Sequence, residues 1–554
     1  MCFLYICHGT CTYSILGVMS MRNRHSRRVY LLLIFFFLGM AGIMMRLSCT
    51  SQQSEATQAG VRQGKYHLQL SLSDGVIYDR FFRPLNQSET TLIAAVSPMP
   101  DTGAVLFSKV KDYSGVSDLI RKGAPFVCYL KEPVESSANM IVFEGKCEQN
   151  GIQPAQHLIG YKQFVKGATG LEAAFDSLLR SYDSVANVTF SVNAHGEALP
   201  GYSPSFQVNQ DAGGGIVTTL DCDIQRIVET ALQSVLPNGG AAVVTECQYG
   251  DIMACASVPV YNPKSLSDSL HDPALPFLNR ALCAYNVGSV FKLAVAAAAI
   301  EYGIGTEYYC ECDGAIDVYG QHFNCHKRSG HGIMNLQSAM TVSCNPYFIS
   351  LTEMLSVIDL HQTACFLGFG QKLQLAEGMF ADAGNLQSVE ELKVPAEKAN
   401  FSFGQGKLLA TPLHIAAMTG CIANGGIWTL PRLIDGETPD GKTLIHQQEP
   451  CSRRAIRPET AAELQEIMKA VLTDAEHSNG IPHNVSAAGK TSTAQTGRFS
   501  IDGTEYCHAW MTGFFPAEHP KYTVTVFVEN GGSGNEAAAP VFRRIIEEMT
   551  RAGL

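Results

Sequence analysis

Four arginines, Arg22, Arg24, Arg27 and Arg28, stand directly before an unbroken apolar run at residues 29–45, VYLLLIFFFLGMAGIMM. Positive charge at the amino end of such a run holds that end in the cytoplasm and sends everything after it to the other side. The run is slightly short of the ~20 residues a straight span needs, but Leu47 extends it and Arg46 can snorkel to the headgroups. Residues 29–47 are therefore expected to form a single transmembrane anchor, with residues 1–28 cytoplasmic and the folded part of the chain outside. A cleaved signal peptide is the alternative, and no small-residue cleavage site follows to support it. Leu47-Ser48-Cys49 is a poor lipidation site, because Arg46 stands where an apolar residue belongs.

After the anchor the sequence divides by texture. Residues 48–65 are polar and without periodicity, as a tether is. Residues 66–215 mix strand-like alternation (YHLQLSLSDGVIYD) with one helical stretch at residues 171–182 and carry no catalytic cluster, so they read as a non-catalytic module. Gly213-Gly214-Gly215 marks a break. Residues 216–554 then open with a hairpin, strands 241–247 and 251–257, and close with strands 509–515 and 522–529 and a helix. Mainly helical sequence lies between. A sheet assembled from both ends of a domain, with a helical lobe inserted, is an antiparallel α+β arrangement that leaves a cleft between sheet and lobe.

Composition narrows the function. The chain of 554 residues has a net charge of −11 and no Lys/Arg block beyond the anchor, which excludes the clustered cations that nucleic-acid binding needs. Its 18 cysteines are scattered, three of them (Cys2, Cys7, Cys11) ahead of the anchor, and so do not form a disulfide scaffold. Most read as small buried hydrophobes.

Three short patterns carry chemistry. Ser289-Val290-Phe291-Lys292 opens an apolar helical stretch, and positions three apart share a helix face, so hydroxyl and amine can meet. A hydroxyl becomes a nucleophile when a base takes its proton, and a lysine is such a base once desolvation lowers its pKa. Ser343-Cys344-Asn345 closes the stretch LQSAMTV; its hydroxyl can relay a proton and its amide can hold a peptide carbonyl. Lys490-Thr491-Ser492-Thr493 lies in an extended Gly- and Ala-rich stretch, where a cation and hydroxyls on a strand edge suit a substrate ending in a carboxylate. The first two have plain structural readings, a surface helix for the first and helix-terminal capping for the second. The joint order of all three is the combination associated with β-lactamases and penicillin-binding proteins.

With these motifs the chain resembles the class B penicillin-binding proteins, the monofunctional transpeptidases of division, elongation and sporulation. The resemblance extends to Gly75-Val76-Ile77-Tyr78-Asp79-Arg80, His157-Leu158-Ile159-Gly160-Tyr161 and Gly170-Leu171-Glu172 in the first module. It continues through Asn279-Arg280-Ala281, Phe403-Gly404-Gln405-Gly406, Thr411-Pro412-Leu413, Ala423-Asn424-Gly425-Gly426 and His508-Ala509-Trp510 in the second. It implies a serine β-lactamase-like transpeptidase fold on a pedestal module, no cofactor, and a bacterial cell-membrane protein whose catalytic domain is extracytoplasmic. It implies that Ser289 attacks the D-Ala-D-Ala bond of a stem peptide, with Lys292 as base, Ser343 as proton relay and Asn345 positioning the donor. Lys490 and Thr491 would read the terminal carboxylate, and the backbone N–H groups of Ser289 and Thr493 would form the oxyanion hole. β-Lactams would acylate the same serine. The implied partners are lipid II-derived glycan strands and a polytopic glycan polymerase of the shape, elongation, division and sporulation (SEDS) family.

Two departures stand out. Val287 replaces the Pro found before Gly-Ser in many relatives. Ser492 replaces the Gly of K-T-G, and since residues 490 and 492 share one side of a strand, its side chain is expected to crowd the acylation pocket. A cluster of Cys310, Cys312, Cys325, His326 and His331, with Cys344 nearby in sequence, leaves three states open. These are free thiols, a disulfide from Cys310 or Cys312 to Cys325, or a zinc of the kind some rod-type relatives are thought to hold, with Cys310, Cys312, Cys325 and His331 as weak ligand candidates. Two other functions compete with transpeptidation. A β-lactamase would need a water-positioning E-x-x-L-N loop, which is absent, and a β-lactam sensor or scaffold would not need the full set of nucleophile, base and relay.

Overall fold

A computed structural model describes residues 24–52, 64–148, 151–163, 166–197, 199–209, 213–235, 239–305, 307–473 and 478–554. The segment up to residue 23, expected to be cytoplasmic, with Arg22 and the first three cysteines, and residues 53–63 of the expected tether lie outside the described residues. Helix α1, Arg24–Gln52, contains the apolar run. Its stretch Arg28–Ser48 has 21 residues and a mean hydropathy of 2.1, and is the one helix among the described residues long and apolar enough to cross a membrane. At 1.5 Å per residue it spans about 32 Å, the thickness of a hydrocarbon layer. The helix persists to Gln52, so the first residues expected in the tether are helical.

The chain forms two compact units, each discontinuous in sequence. The smaller comprises residues 1–69, 94–142 and 187–207. In it, Asp112 caps α2, Tyr113–Lys122, by accepting from the Gly115 N–H, and Gly123 ends the helix at φ 74°. Strand β1, Phe126–Leu130, follows and buries Phe126, Cys128 and Leu130 on alternate positions.

The larger unit comprises residues 70–93, 143–186 and 208–554. It begins its sheet domain with α3, Cys222–Leu232, capped by Asp221, and the hairpin β2, Gly240–Glu246, and β3, Ile252–Val258. The helical lobe supplies α4, Lys292–Glu301, α5, Leu336–Thr341, α6, Asn345–Glu353, and α7, Pro412–Ala423. The chain then returns through β4, Ala488–Phe499, β5, Glu505–Phe515, and β6, Tyr522–Val528, and ends in α8, Ala539–Arg551. The strands form one antiparallel sheet in the order β3-β2-β6-β5-β4, as the sequence pattern predicts.

Because successive side chains on a strand point to opposite faces, the central strands feed two cores. Ala242, Val244, Met511, Val524 and Val526 pack on one face with Ile224 and Val228 of α3 and Phe542 and Ile545 of α8. Ala241, Val243, Trp510, Phe514 and Phe527 pack on the other with Leu413 and Ala416 of α7 and the helical lobe. Strand β4 is left at the edge beside the lobe, which is how the cleft arises.

Several signature residues of the first module have structural work in this unit. Asp79 is buried and paired with Arg83 at 2.6 Å, and Arg83 also reaches Asp221 and Asp223. Glu172 accepts from Asn86 at 2.7 Å.

Two expectations need correction. The glycine run is not a free linker: strand Gly215–Thr218 pairs with Val76–Tyr78 and with Ile434–Thr438. A Cβ on Gly215 would lie 1.8 Å from the Val76 carbonyl oxygen, so glycine is there for close approach. The helical stretch at residues 171–182 is two short helices, Gly170–Ala174 and Asp176–Ser181, broken at Phe175.

Candidate active site

Ser289 sits in a 3-10 turn, Gly288–Phe291, that feeds α4, and not in the α-helix itself as expected. The tighter turn serves the pair well, since residues three apart eclipse one another in a 3-10 helix. Lys292 follows as the first residue of α4. That helix is apolar on every side, and residues 292–300 are all buried, the mark of a core helix. Lys292 is thus drawn fully into the interior (0% exposed), while Ser289 is half-buried and faces a cavity of about 980 Å³.

The Lys292 amine donates to the Ser343 carbonyl at 2.8 Å, to the Ser343 hydroxyl at 3.2 Å and to Asn345 Oδ1 at 2.7 Å. Phe348 places its ring 5.2 Å from the same nitrogen. Burial, reinforced by the charge of Lys490, pulls the Lys292 amine well below the ordinary lysine range. These oxygens are brought there by a kink. Ser343 lies between α5 and α6 with φ +54°, a left-handed conformation that a non-glycine residue adopts at a cost and that concentrates at functional sites. Ser343-Cys344-Asn345 therefore does not close one helix. It joins two, with Asn345 as the first residue of α6, followed by Pro346.

Across the cavity, β4 presents Ala488, Lys490, Ser492 and Ala494 on its buried face, and Thr491 and Thr493 half-buried and exposed. Lys490 donates to the Thr491 carbonyl at 3.0 Å, and burial lowers its amine to about 8. The Thr493 hydroxyl accepts from the Gly534 N–H at 3.2 Å. Ser289, Ser343, Asn345, Lys490, Thr491 and Thr493 all line the one cavity, with Lys292 beneath it. The three separate motifs therefore converge.

Ser492 lines the cavity, as its place on the Lys490 side requires, but its hydroxyl is tied back to the turn before Ser289. The residue is buried (3% exposed) and the hydroxyl donates to the Val287 carbonyl at 3.0 Å. The room for it comes from Gly288: a Cβ there would lie 2.4 Å from the Ser492 Oγ.

Of the three states left open for the cysteine cluster, the disulfide is the one the structure sets aside. Cys310, Cys312 and Cys325 are free thiols. Ligand atoms of Cys312, Cys325, His331 and Cys344 lie within 4.8 Å of one another, with His331 Nδ1 at 3.7 Å from the Cys312 sulfur and 3.4 Å from that of Cys325. Cys310 is outside the group, its thiol turned to the Glu311 carbonyl. Cys344 takes its place because the kink at Ser343 turns it inward. Thiolate sulfurs around a tetrahedral zinc stand about 3.7 Å apart, so the set fits a small soft cation.

Other cavity residues went unforeseen as site residues. His326, Asn400, Phe403 and Gln405 line it. Phe403 and Gln405 belong to a recognisable motif, whereas Asn400 carries no sequence signal.

The penicillin-binding protein transpeptidase domain matches residues 240–547. Peptidoglycan D,D-transpeptidase PbpA of Mycobacterium tuberculosis is 30% identical over 423 residues, 70% of this chain and 81% of its own. Stage V sporulation protein D of Bacillus subtilis is 29% identical over 415 residues, 71% of this chain but 62% of its own length. A ceftriaxone acyl-enzyme of penicillin-binding protein A from M. tuberculosis superposes with a TM-score of 0.62 at 26% identity, covering 73% of this chain and 92% of that one.

Proposed function

This chain belongs to the class B penicillin-binding proteins, the serine D,D-transpeptidases of peptidoglycan, and on that premise we propose that Ser289 is the residue acylated. The observation that carries the assignment is the buried Lys292 amine held among Ser343 and Asn345 oxygens, three residues from a hydroxyl that faces the cavity. A lysine whose charged form is disfavoured by burial is unprotonated often enough to accept the Ser289 proton. The Ser289 oxygen then attacks the carbonyl of the penultimate D-alanine, the peptide C–N bond breaks, and Ser343 delivers the proton to the departing D-alanine amine. The amine of a second stem peptide attacks the ester, forms the new amide and returns the proton to Ser289. Asn345 holds the donor peptide, Lys490 and Thr491 receive the terminal carboxylate, and the N–H groups of Ser289 and Thr493 stabilise the oxyanion.

We assign residues 216–554 to catalysis, residues 66–215 to a pedestal module and the apolar helix to a single membrane span, with the catalytic domain outside the cell. The pedestal and anchor fit docking to a SEDS-type glycan polymerase. Deletion of residues 94–142, which belong to the smaller unit, is expected to abolish co-purification with it while penicillin labelling persists; full retention of the complex by the truncated chain would refute that role.

Ser289→Ala is expected to remove covalent labelling by penicillin and all turnover of a depsipeptide thioester. Intact-protein mass spectrometry decides the point: a penicilloyl adduct on Ser289→Ala would place the nucleophile elsewhere. Wild-type protein that sheds its label rapidly would instead be a β-lactamase, and one that keeps the label without thioester turnover a sensor.

The two lysines set the pH dependence. Lys292 acts when neutral, so acylation rises with pH through its lowered pKa. Lys490 binds the carboxylate when charged, so acylation falls again above about 8. Lys490→Arg keeps the charge at all accessible pH and is expected to remove the alkaline limb of acylation rate against pH, even if the maximum drops. Persistence of that limb would exclude Lys490 as its source.

A second reading concerns the sulfur cluster, where the spacing of Cys312, Cys325, His331 and Cys344 supports a structural zinc bracing the Ser343 kink. Protein purified under reducing conditions is expected to carry about one zinc per chain by mass spectrometry of metals, to lose it in Cys325→Ser and to keep it in Cys310→Ser. Equal zinc in wild type and Cys325→Ser would exclude the site.

A further inference from the structure

The two departures from the family pattern, Val287 and Ser492, touch one another. Ser492 donates through its hydroxyl to the Val287 carbonyl at 3.0 Å. Directly across from it in the β4–β5 pairing stands Trp510, whose indole N–H donates to the Asn286 carbonyl at 2.9 Å. One cross-strand pair thus grips two consecutive carbonyls immediately before Gly288 and Ser289. The grip is buried, with Ser492 at 3% and Trp510 at 0% exposure. From the lobe side, Gly288 donates its N–H to the Gly404 carbonyl at 2.8 Å. At φ +63°, Gly288 is a residue with unusual backbone freedom at this point of the chain.

A proline at 287 would remove some of that freedom by fixing its own φ near −65°. Val287 has φ −92° and leaves the torsion soft. Asn286 before it is a strand residue, the conformation a following proline requires, so the site could accept Pro and does without it.

We propose that Ser492 is a positioning residue for acylation: its hydrogen bond to Val287 holds the turn that carries Ser289, in place of the stiffness that a proline at 287 would supply. The two departures are then one compensated change. A misplaced nucleophile loses rate while the cavity that binds the ligand stays intact, so loss of Ser492 acts on the acylation step and not on the preceding encounter. This rests on Ser289 as the nucleophile.

The test is a double-mutant cycle in the full chain with Ser492→Gly, Val287→Pro and both, with Ser492→Ala as a second truncation. The acylation rate constant and the non-covalent dissociation constant for a penicillin are resolved by stopped flow, and melting temperature is recorded beside them. Loss of one buried hydrogen bond is expected to slow acylation about threefold to tenfold in Ser492→Gly and Ser492→Ala, with the dissociation constant within about twofold. Val287→Pro is expected to restore most of that loss in the Ser492→Gly background and to change the wild type less than about twofold. Acylation of Ser492→Gly at or above the wild-type rate overturns the proposal, as does an equal effect of Val287→Pro in both backgrounds. A parallel fall in rate and melting temperature that Val287→Pro does not rescue would reduce Ser492 to a packing residue. Ser289→Ala in the same series separates this from an error in the nucleophile, since only the latter leaves that variant labelled.

Discussion

A primary amine enclosed in the protein interior, with none of its surface reaching water, is the constraint around which the catalytic unit is arranged. Removing an ammonium from water is costly unless it is met by oxygens or gives up its proton. Lys292 is met by three oxygens that carry no net charge, all from Ser343 and Asn345. They satisfy the nitrogen as a donor without the full negative charge that would keep it protonated. To supply them the chain leaves one helix, passes Ser343 at φ +54° and enters the next, and the surrounding lobe holds that costly conformation in place.

The same lobe fixes the other half of the site by closing against a sheet edge. An edge strand normally offers its unpaired groups to any passing chain. Here β4 lends its buried face to the turn before Ser289 and its exposed threonine to the cavity, so the edge is occupied by function. Lys490 and Lys292 stand close enough for the first to depress the second. With Lys490 lowered to about 8 by burial, the site holds two lysines suited to opposite tasks. One is pushed toward the neutral base and the other retains charge near neutrality.

Cys344 links the catalytic kink to the sulfur cluster, because it lies between Ser343 and Asn345 in sequence and joins Cys312, Cys325 and His331 in space. Cys325 and His326 also line the cavity. The insertion that carries them therefore forms a wall of the site.

Much of this was legible in one dimension. The arginine-flanked apolar run specified a helix long and apolar enough to span a bilayer, because that depends only on length and composition. The sheet strands announced themselves by a hairpin and strand-like stretches at the two ends of the domain, and the reactive serine and lysine by a spacing of three. Motif residues that recur in a set order pointed to Ser289, Lys292, Ser343, Asn345, Lys490, Thr491 and Thr493 before any of them was seen to meet. What the sequence could not determine were the relations set by long-range packing. The 3-10 turn under Ser289, the left-handed Ser343 and the replacement of Cys310 by Cys344 in the sulfur cluster all depend on segments that approach from elsewhere in the chain. Ser492 is the clearest case. Strand periodicity placed it correctly on the Lys490 side, but that its hydroxyl there meets the Val287 carbonyl depends on the bare backbone of Gly288, and only the folded chain brings Ser492 and Val287 within hydrogen-bonding distance.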